Sequence, residues 1–231
     1  MKLSVIVPVY NECGTVEELL SRVKKAYIGN VKKEIIVVDD FSSDGTREIL
    51  KKIKGIELLL HDKNCGKGAA LKTGIAKSTG DIIIVQDADL EYSPEEYSVL
   101  IVPIVEKKTK VVYGSRLLKK DNSQGKFLFY FGGIVVTKFT NLLYGSRITD
   151  EPTCYKVFHK DLKPILLGAR SNHFEWEPEI TAKIIRKGYR IYEVPISYDS
   201  RTNEDGKKIG IKDGVEALWT LLVWRFKKID N

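Results

Sequence analysis

Cysteine is scarce in this chain, and Cys13, Cys65 and Cys154 stand far apart with no metal-ligand spacing. An odd, scattered set argues against a disulfide framework and for reduced thiols in the cytoplasm. Histidine is equally thin: His61, His159 and His173 have no partner at ligand or triad spacing and read as structural. No apolar run reaches the roughly 18 residues of a membrane span. The best, Phe127 to Thr137, is cut by Lys138. Met1-Lys2-Leu3-Ser4-Val5 runs straight into strand-like sequence, so no signal peptide is expected. No Gly-x4-Gly-Lys-[Ser/Thr] occurs, which excludes a P-loop. Gly66-Lys67-Gly68 lacks the third glycine of a dinucleotide fingerprint and follows the third strand, not the first. There is no internal repeat and no low-complexity tract.

What is present fits a soluble globular protein: 231 residues, 43% hydrophobic and 30% charged, enough for a substantial core. The net charge of +7 is uneven. Between Glu106 and Lys138 eight Lys/Arg face two acids, so that window holds most of the excess. A basic patch calls for an anionic partner, either phosphate groups, an anionic membrane surface or nucleic acid; a plain solvated surface is the alternative. Nucleic acid would also require aromatic–basic interleaving across a known fold, which the chain lacks.

The stretch that organises the chain is Gly80-Asp81-Ile82-Ile83-Ile84-Val85-Gln86-Asp87-Ala88-Asp89-Leu90-Glu91. Its β-branched run suits a strand covered on both faces. Three more such strands precede it, at Leu3–Tyr10, Glu34–Asp40 and Ile56–Leu60, and Lys110–Tyr113 follows as a fifth. Helical stretches separate them: Val16 to Val23 with Thr15 as cap and Glu18 as its capping-box partner, Arg47 to Ile53, the glycine-rich entry after Asn64, and Pro94 to about Val105. Such alternation predicts βαβ units and a mostly parallel sheet over residues 1–114. Beyond it come two interrupted aromatic segments, Phe127–Phe131 and Ile134–Tyr144, split by Gly132-Gly133. Strands are expected at Tyr155–Phe158 and Tyr189–Val194, a helix at Glu177–Arg186, a polar loop at Ser200–Gly210 and an amphipathic helix at Asp213–Lys228.

Three strands end in polar or acidic clusters: Pro8-Val9-Tyr10-Asn11-Glu12, Asp39-Asp40 and Asp87-Ala88-Asp89. In an extended stretch Asp87 and Asp89 point the same way, and paired hard oxygens favour Mg²⁺ or Mn²⁺. A polar turn after a strand is the alternative. Carboxylates can also accept from a uracil or guanine N–H and from ribose hydroxyls, and Tyr10 offers a ring face. Gly66, Lys67 and Gly68 bring N–H groups and a cation to a diphosphate, or make a plain helix entry. Glu175, Glu177 and Glu179 surround a helix start, where acids are favoured anyway.

Val7-Pro8-Val9-Tyr10-Asn11-Glu12, Val37-Val38-Asp39-Asp40-x-Ser42-x-Asp44-Gly45-Thr46, Asn64-x-Gly66-Lys67-Gly68 and Asp87-Ala88-Asp89 together resemble the family 2 glycosyltransferases of GT-A fold. Gly114-Ser115-Arg116 and Tyr198-Asp199-Ser200-Arg201 look like the branch of dolichol-phosphate mannose synthases and polyprenyl-phosphate glycosyltransferases. The resemblance implies one GT-A domain over 1–231, with a nucleotide-sugar half (1–114) and an acceptor half (115–231). It also implies a GDP- or UDP-linked sugar donor, mannose or glucose above others, a divalent metal, and inversion at the anomeric carbon. By position it puts Pro8, Tyr10, Glu12, Val37, Asp39 and Lys67 at the nucleotide-sugar, and Asp87, Ala88 and Asp89 at ribose, diphosphate and metal. Arg116, Arg201 and Lys207 would hold phosphates; Asp87, Asp89, Arg116 and Arg201 would carry catalysis. Glu91 joins Asp87 and Asp89 as a metal ligand, although that branch usually has Gln there. The membrane helices that follow the catalytic domain in many relatives are absent, as is the Gln-x-x-Arg-Trp of processive synthases.

A lipid phosphate acceptor needs no general base, whereas a sugar hydroxyl needs a carboxylate to take its proton. Asp150 lies near where such a base sits in hydroxyl-acceptor relatives, with a loop cap as its other role. Ser115, Lys126, Lys138 and Asp150 are thus candidate acceptor residues. Phe127–Tyr144 with its basic flanks suits a membrane interface or a core helix, and Trp219, Leu222, Trp224 and Phe226 add a second candidate contact. The basic loop Ser200–Lys208 is expected to close over the donor. The expectation is a transferase peripheral on the cytoplasmic face of a membrane, with or without a separate membrane protein as anchor. The alternatives are hydroxyl transfer with Asp150 as base, and a non-catalytic module that binds nucleotide or membrane.

Overall fold

The computed structural model describes residues 1–119, 122, 127–200 and 210–229, with backbone alone for 127–130 and 211. In chain order the elements are β1 (Lys2–Val9), α1 (Val16–Lys25), β2 (Lys32–Asp39), α2 (Thr46–Leu50), β3 (Glu57–Leu60), α3 (Lys67–Lys77), β4 (Ile82–Val85), α4 (Tyr97–Val105), β5 (Val111–Ser115), α5 (Phe127–Tyr144), β6 (Lys156–His159), α6 (Lys163–Leu167), α7 (Trp176–Arg186), β7 (Ile191–Pro195) and α8 (Ile211–Phe226). One seven-stranded sheet runs β3-β2-β1-β4-β6-β5-β7. β6 alone is antiparallel to its neighbours β4 and β5; the other pairs are parallel.

β4 sits near the middle, and Ile82, Ile83, Ile84 and Val85 are all buried. A strand covered on both faces has no solvent side to alternate with, which explains the unbroken apolar run. Each of these side chains adds about 1.5–3 kcal/mol of burial as an upper figure. α1 buries Val16, Leu19, Leu20 and Val23, the face its spacing predicts. α3 lies tight on the sheet because Gly74 has no side chain: a Cβ there would come within 2.6 Å of the Ile6 methyl. Topology places the site. From β1 the chain winds out to β2 and β3 on one side, then returns to lay β4 on the other. The crevice at the carboxyl ends of β1 and β4 is thus a topological switch point, where open α/β sheets take ligands.

Three local expectations change. Thr15 makes no cap bond to α1; its hydroxyl donates to the Ala88 carbonyl (2.8 Å) and pairs with Glu12 Oε2 (2.8 Å), joining the loops after β1 and β4. Gly132 and Gly133 do not break α5, which runs unbroken because i→i+4 bonds tolerate glycine at a modest cost. Trp224 is buried, not exposed: Val136, Leu221 and Trp224 form a second apolar cluster where α5 and α8 pack. The opposite faces of those helices leave Phe131, Val135, Leu142, Val215, Trp219 and Phe226 exposed. Among the described residues no helix is long and apolar enough to cross a membrane.

Candidate active site

The loops leaving β1, β2 and β4 meet at this carboxyl edge. Asn11 donates its N–H to Ser42 Oγ (2.9 Å) and accepts from the Ser43 N–H (2.9 Å), and Glu12 N–H donates to Thr46 Oγ1. Asn11, Phe41 and Leu90, one from each loop, hold φ of 51°, 66° and 63°. Left-handed backbone costs a non-glycine residue roughly 1–2 kcal/mol, and such strain collects at functional edges.

Adjacent strand residues face opposite ways, and Asp39 and Asp40 use this. Asp39 Oδ2 accepts from the Ser42 N–H (3.2 Å) and from Arg47 Nε, while its buried Oδ1 has no partner among the described residues. Asp40 turns the other way and accepts from the Cys65 and Gly66 N–H groups (2.9 and 2.7 Å), with His61 Nδ1 at 2.7 Å. The ligating atoms of Asp40, His61 and Cys65 lie within 4.8 Å of one another. Those hydrogen bonds, with His61 Nε2 against Thr73 Oγ1 (3.0 Å), explain the grouping without an ion. His61, which looked isolated in sequence, is thus given Asp40 and Thr73 as partners by the fold.

Asp87 enters a chain of alternating charge. Lys67 Nζ lies 2.8 Å from Asp87 Oδ1, 2.9 Å from Oδ2 and 2.8 Å from Glu177 Oε1. Glu177 Oε2 in turn meets Lys156 Nζ at 3.1 Å, and Lys156, wholly buried, also donates to the carbonyls of Glu151 and Thr153. Burial alone would raise the Glu177 carboxyl, but Lys156 and Lys67 bring it down to about 2. Burial works against charge on Lys67 too, and Asp87 and Glu177 outweigh it, so its pKa is raised. Gly66 and Gly68 belong to the same packing: a Cβ on either would strike His173, Asn172 or Trp176 at under 3 Å. They are there to admit the segment before α7. That is the helix-entry alternative, and it leaves Lys67 as the charged group near Asp87.

Across the edge, Arg116 leaves β5 and grips Asp150. Its Nε donates to Oδ2 (2.8 Å), Nη2 to Oδ1 (2.7 Å) and its backbone N–H to Oδ2 (2.9 Å). Glu193 of β7 accepts from the Thr149 and Asp150 N–H groups and so holds the loop that carries Asp150. The Tyr198 ring lies 5.1 Å from the Arg116 guanidinium, and its hydroxyl donates to Glu91 Oε2 (3.0 Å). Tyr92 joins the two groups: its ring packs on Tyr198, its hydroxyl accepts the Cys154 N–H, and Cys154 Sγ accepts the Asp87 N–H. Burial first, then Asp87, pushes the Cys154 thiol up, so it stays protonated and inert. Gln86 underlies Asp87, accepting from the hydroxyls of Tyr97 and Tyr155 and donating to the Asp87 carbonyl.

Asp87, Asp89 and Glu91 leave β4 within five residues, and their hard oxygens suit Mg²⁺ or Mn²⁺. Lys67 already compensates Asp87, and Glu91 accepts from the Tyr198 hydroxyl. Asp89 Oδ1 accepts the Glu91 N–H (3.2 Å), which fixes the turn that carries both. Of the other sequence candidates, Pro8, Tyr10, Glu12 and Ala88 lie at this edge. Val37 is wholly buried inside the sheet, two residues short of it. Ser115 is buried with its hydroxyl against Thr149 Oγ1 (2.7 Å), which takes it away from an acceptor. Lys138 is exposed on α5. Lys126, Arg201 and Lys207 fall outside the described residues. Sequence reasoning missed Lys156, Glu177, Gln86 and Glu193. A lysine inside Tyr155-Lys156-Val157-Phe158 was a legible signal; the helix-start preference for acids hid Glu177.

Residues 4–164 match the model of glycosyl transferase family 2. A dolichol-phosphate mannosyltransferase of Pyrococcus furiosus is 29% identical over 233 residues, covering 97% of this chain and 64% of the relative, so this chain spans just under two thirds of that protein. A UDP-N-acetylglucosamine–dolichyl-phosphate N-acetylglucosaminyltransferase of Methanococcus voltae is 25% identical over 245 residues, covering 97% and 96%. The glucosyl-3-phosphoglycerate synthase of Mycobacterium tuberculosis, in complex with Mn²⁺, UDP and phosphoglyceric acid, matches at a TM-score of 0.74 and 19% identity, covering 99% of this chain and 80% of that one. That likeness concerns the fold alone.

Proposed function

This chain belongs to glycosyl transferase family 2 and is a glycosyltransferase of GT-A fold, and on that footing we propose that it moves a sugar, with inversion, from a nucleotide donor to a polyprenyl phosphate at a membrane surface. The observation that carries the choice of acceptor is the grip of Arg116 on Asp150. A hydroxyl acceptor must lose a proton as it attacks, and Asp150 was the candidate to take it. Both its oxygens are engaged by Arg116, which holds them in place and turns them away from an incoming hydroxyl. A phosphate brings its own charged nucleophile and needs a cation instead. Arg116 is buried at its stem and keeps Nη1 out of any hydrogen bond among the described residues.

In this reading Pro8, Tyr10, Glu12 and Asp39 receive the nucleotide, and Asp87, Ala88 and Asp89 face ribose and diphosphate. Asp89 and Glu91, with Asp87 beside them, would hold Mg²⁺ or Mn²⁺. The metal supplies positive charge to the departing diphosphate. Lys67 pairs with Asp87 beside that charge, and Arg201 and Lys207 are assigned to phosphates. The exposed apolar faces of α5 and α8, with Lys138, would rest on the cytoplasmic leaflet, with or without a separate membrane protein. Support comes from two relatives whose names specify dolichol phosphate and from the Mn²⁺ and UDP of the structural neighbour.

The test is release of nucleoside diphosphate from GDP- and UDP-sugars, with Mg²⁺ or Mn²⁺, with and without polyprenyl phosphate. Release that needs both metal and lipid phosphate is expected. Arg116→Ala should lower it at least tenfold, since a lost charge-assisted bond is worth about 1.5–3 kcal/mol. Release that ignores the lipid and responds to a free sugar would move the acceptor to a hydroxyl and make Asp150 the base.

A further inference from the structure

We propose that Asp40, His61 and Cys65 form a binding site for Zn²⁺, separate from the oxygen ligands Asp89 and Glu91, and that the ion braces the loop leading into α3. The site is independent of the transferase reading.

Three segments supply one ligand each. Asp40 follows β2, His61 follows β3, and Cys65 lies in the loop before α3. Asp39 and Leu60 are register partners on parallel strands, so Asp40 and His61 leave the sheet side by side. They stand 21 residues apart in the chain, which hides the set from any reading of sequence spacing. The three ligating atoms lie within 4.8 Å of one another. The Asp40 carboxylate is buried and the imidazole 15% exposed, while Cys65 is half-buried and opens the cluster to an incoming ion.

Hydrogen bonds hold the cluster together without a metal, and they also prepare it for one. The Gly66 N–H holds Asp40 Oδ2 and the Cys65 N–H holds Oδ1, which fixes the carboxylate. Arg47 Nη2 donates to the His61 carbonyl and anchors the backbone behind the ring. The other bond of Asp40 Oδ1 is to His61 Nδ1, across 2.7 Å. With its proton on Nε2 instead, the ring donates to Thr73 Oγ1, 3.0 Å away, and offers Nδ1 to a metal. That is the outer partner a zinc-bound histidine ordinarily has. Cys65 Sγ contacts the Lys63 carbonyl at 3.4 Å, a weak bond to give up. Its thiol proton passes to solvent as the Zn–S bond forms.

Geometry and ligand chemistry select the ion. Bonds of about 2.0–2.3 Å in a tetrahedron set neighbouring ligands roughly 3.3–3.7 Å apart, with water in the fourth position. The Asp40–His61 pair, 2.7 Å apart around a proton, opens by about 1 Å or less to admit the ion. Sulfur and imidazole suit Zn²⁺ and not Mg²⁺, whereas Asp87, Asp89 and Glu91 offer oxygen alone. β2 and β4 flank β1, so the two sites stand two strand spacings apart, roughly 10 Å. Cys65 and Gly66 directly precede Lys67, the first residue of α3, so an ion here ties the head of that helix to the ends of β2 and β3.

Co²⁺ reports such a site by its spectrum. A tetrahedral thiolate complex gives a sulfur-to-metal charge-transfer band and strong visible bands, and oxygen ligands alone give no such charge-transfer band. The intact, reduced, metal-free protein is titrated with Co²⁺ in excess Mg²⁺, which competes for the oxygen ligands. One equivalent should raise both sets of bands, and Zn²⁺ should bleach them. Cys65→Ser should abolish the charge-transfer band, His61→Gln should weaken Co²⁺ binding about tenfold or more, and Cys13→Ser should leave the spectrum as it is. In the protein without substitutions, Zn²⁺ should slow alkylation of Cys65 about tenfold or more, with Cys13 unaffected, read by peptide mass spectrometry. That measurement does not depend on a variant that folds. Absence of the charge-transfer band, its survival in Cys65→Ser, or equal alkylation of Cys65 with and without Zn²⁺ would overturn the proposal and leave the cluster a hydrogen-bonded joint.

Discussion

At the edge where β1 begins, Glu34 accepts from Lys2, Ser4 Oγ and both the N–H and hydroxyl of Thr79, and Asp81 accepts from the Lys2 N–H and Lys160. At the opposite edge Asp39 Oδ1, Glu151 Oε1 and Thr153 Oγ1 are buried with no partner among the described residues, as is Glu175 Oε2 beside α7. Among the described residues, three of the four non-glycine residues with positive φ also lie there. The same residue types are used at both edges, but only one edge has its valences filled. Polar groups that serve folding are satisfied by folding; the buried oxygens of the other edge have no partner among the described residues, and its loops carry the strain.

This contrast can be broken experimentally. The largest effect should come from Lys67→Met, which strands Asp87 as an unpaired, mostly buried carboxylate and leaves Glu177 with Lys156 alone. It should destabilise the fold by about 3–5 kcal/mol in chemical denaturation. Asp87→Asn added to it should restore part of that loss, since both act through one contact. Asp89→Ala should do the reverse, leaving the melting temperature nearly unchanged while turnover falls about 100-fold or more. Unchanged turnover would remove Asp89 from the site.

Glu34→Ala sharpens the comparison from the finished edge. It should cost about 2 kcal/mol of stability with turnover unaffected, a lost set of charge-assisted bonds. Glu34 has a pH signature as well. Lys2, Ser4 and Thr79 overcome its burial and hold its folded carboxyl at about 2, below the usual 4.5. Its contribution is therefore complete above about pH 4.5 and lost as pH falls towards 2. Glu34→Gln should flatten the acid limb of a stability-against-pH curve over that window. The smallest effect is expected from Thr15→Val, which removes the hydroxyl link between the loops after β1 and β4; about 1 kcal/mol, with a modest rise in KM for the donor.

Much of the fold was legible because its signals are local. Ile82–Val85 announced a doubly covered strand, and Val16, Leu19, Leu20 and Val23 announced the buried face of α1. Asp87 and Asp89 were legible as candidates because acids at a strand exit stand out in contiguous sequence. Thr15 does occupy the N-cap of α1, but its hydroxyl makes no cap bond, because its partner, the Ala88 carbonyl, comes from a loop 73 residues away. Gly66 and Gly68 were ambiguous for the same reason: what they admit, the segment at Asn172–Trp176, is about a hundred residues on.

By itself the sequence determined the strand and helix periodicities, the mostly parallel sheet, the acids at three strand ends and the family, since each of these is written in contiguous residues. The tertiary structure decided which charges meet. It set Lys67 between Asp87 and Glu177, gave Asp150 to Arg116, and left Asp39 one oxygen short of a partner. The physical reason is that an ion pair or an unfilled lone pair depends on distance in space, and the sheet order brings together residues that the chain keeps far apart.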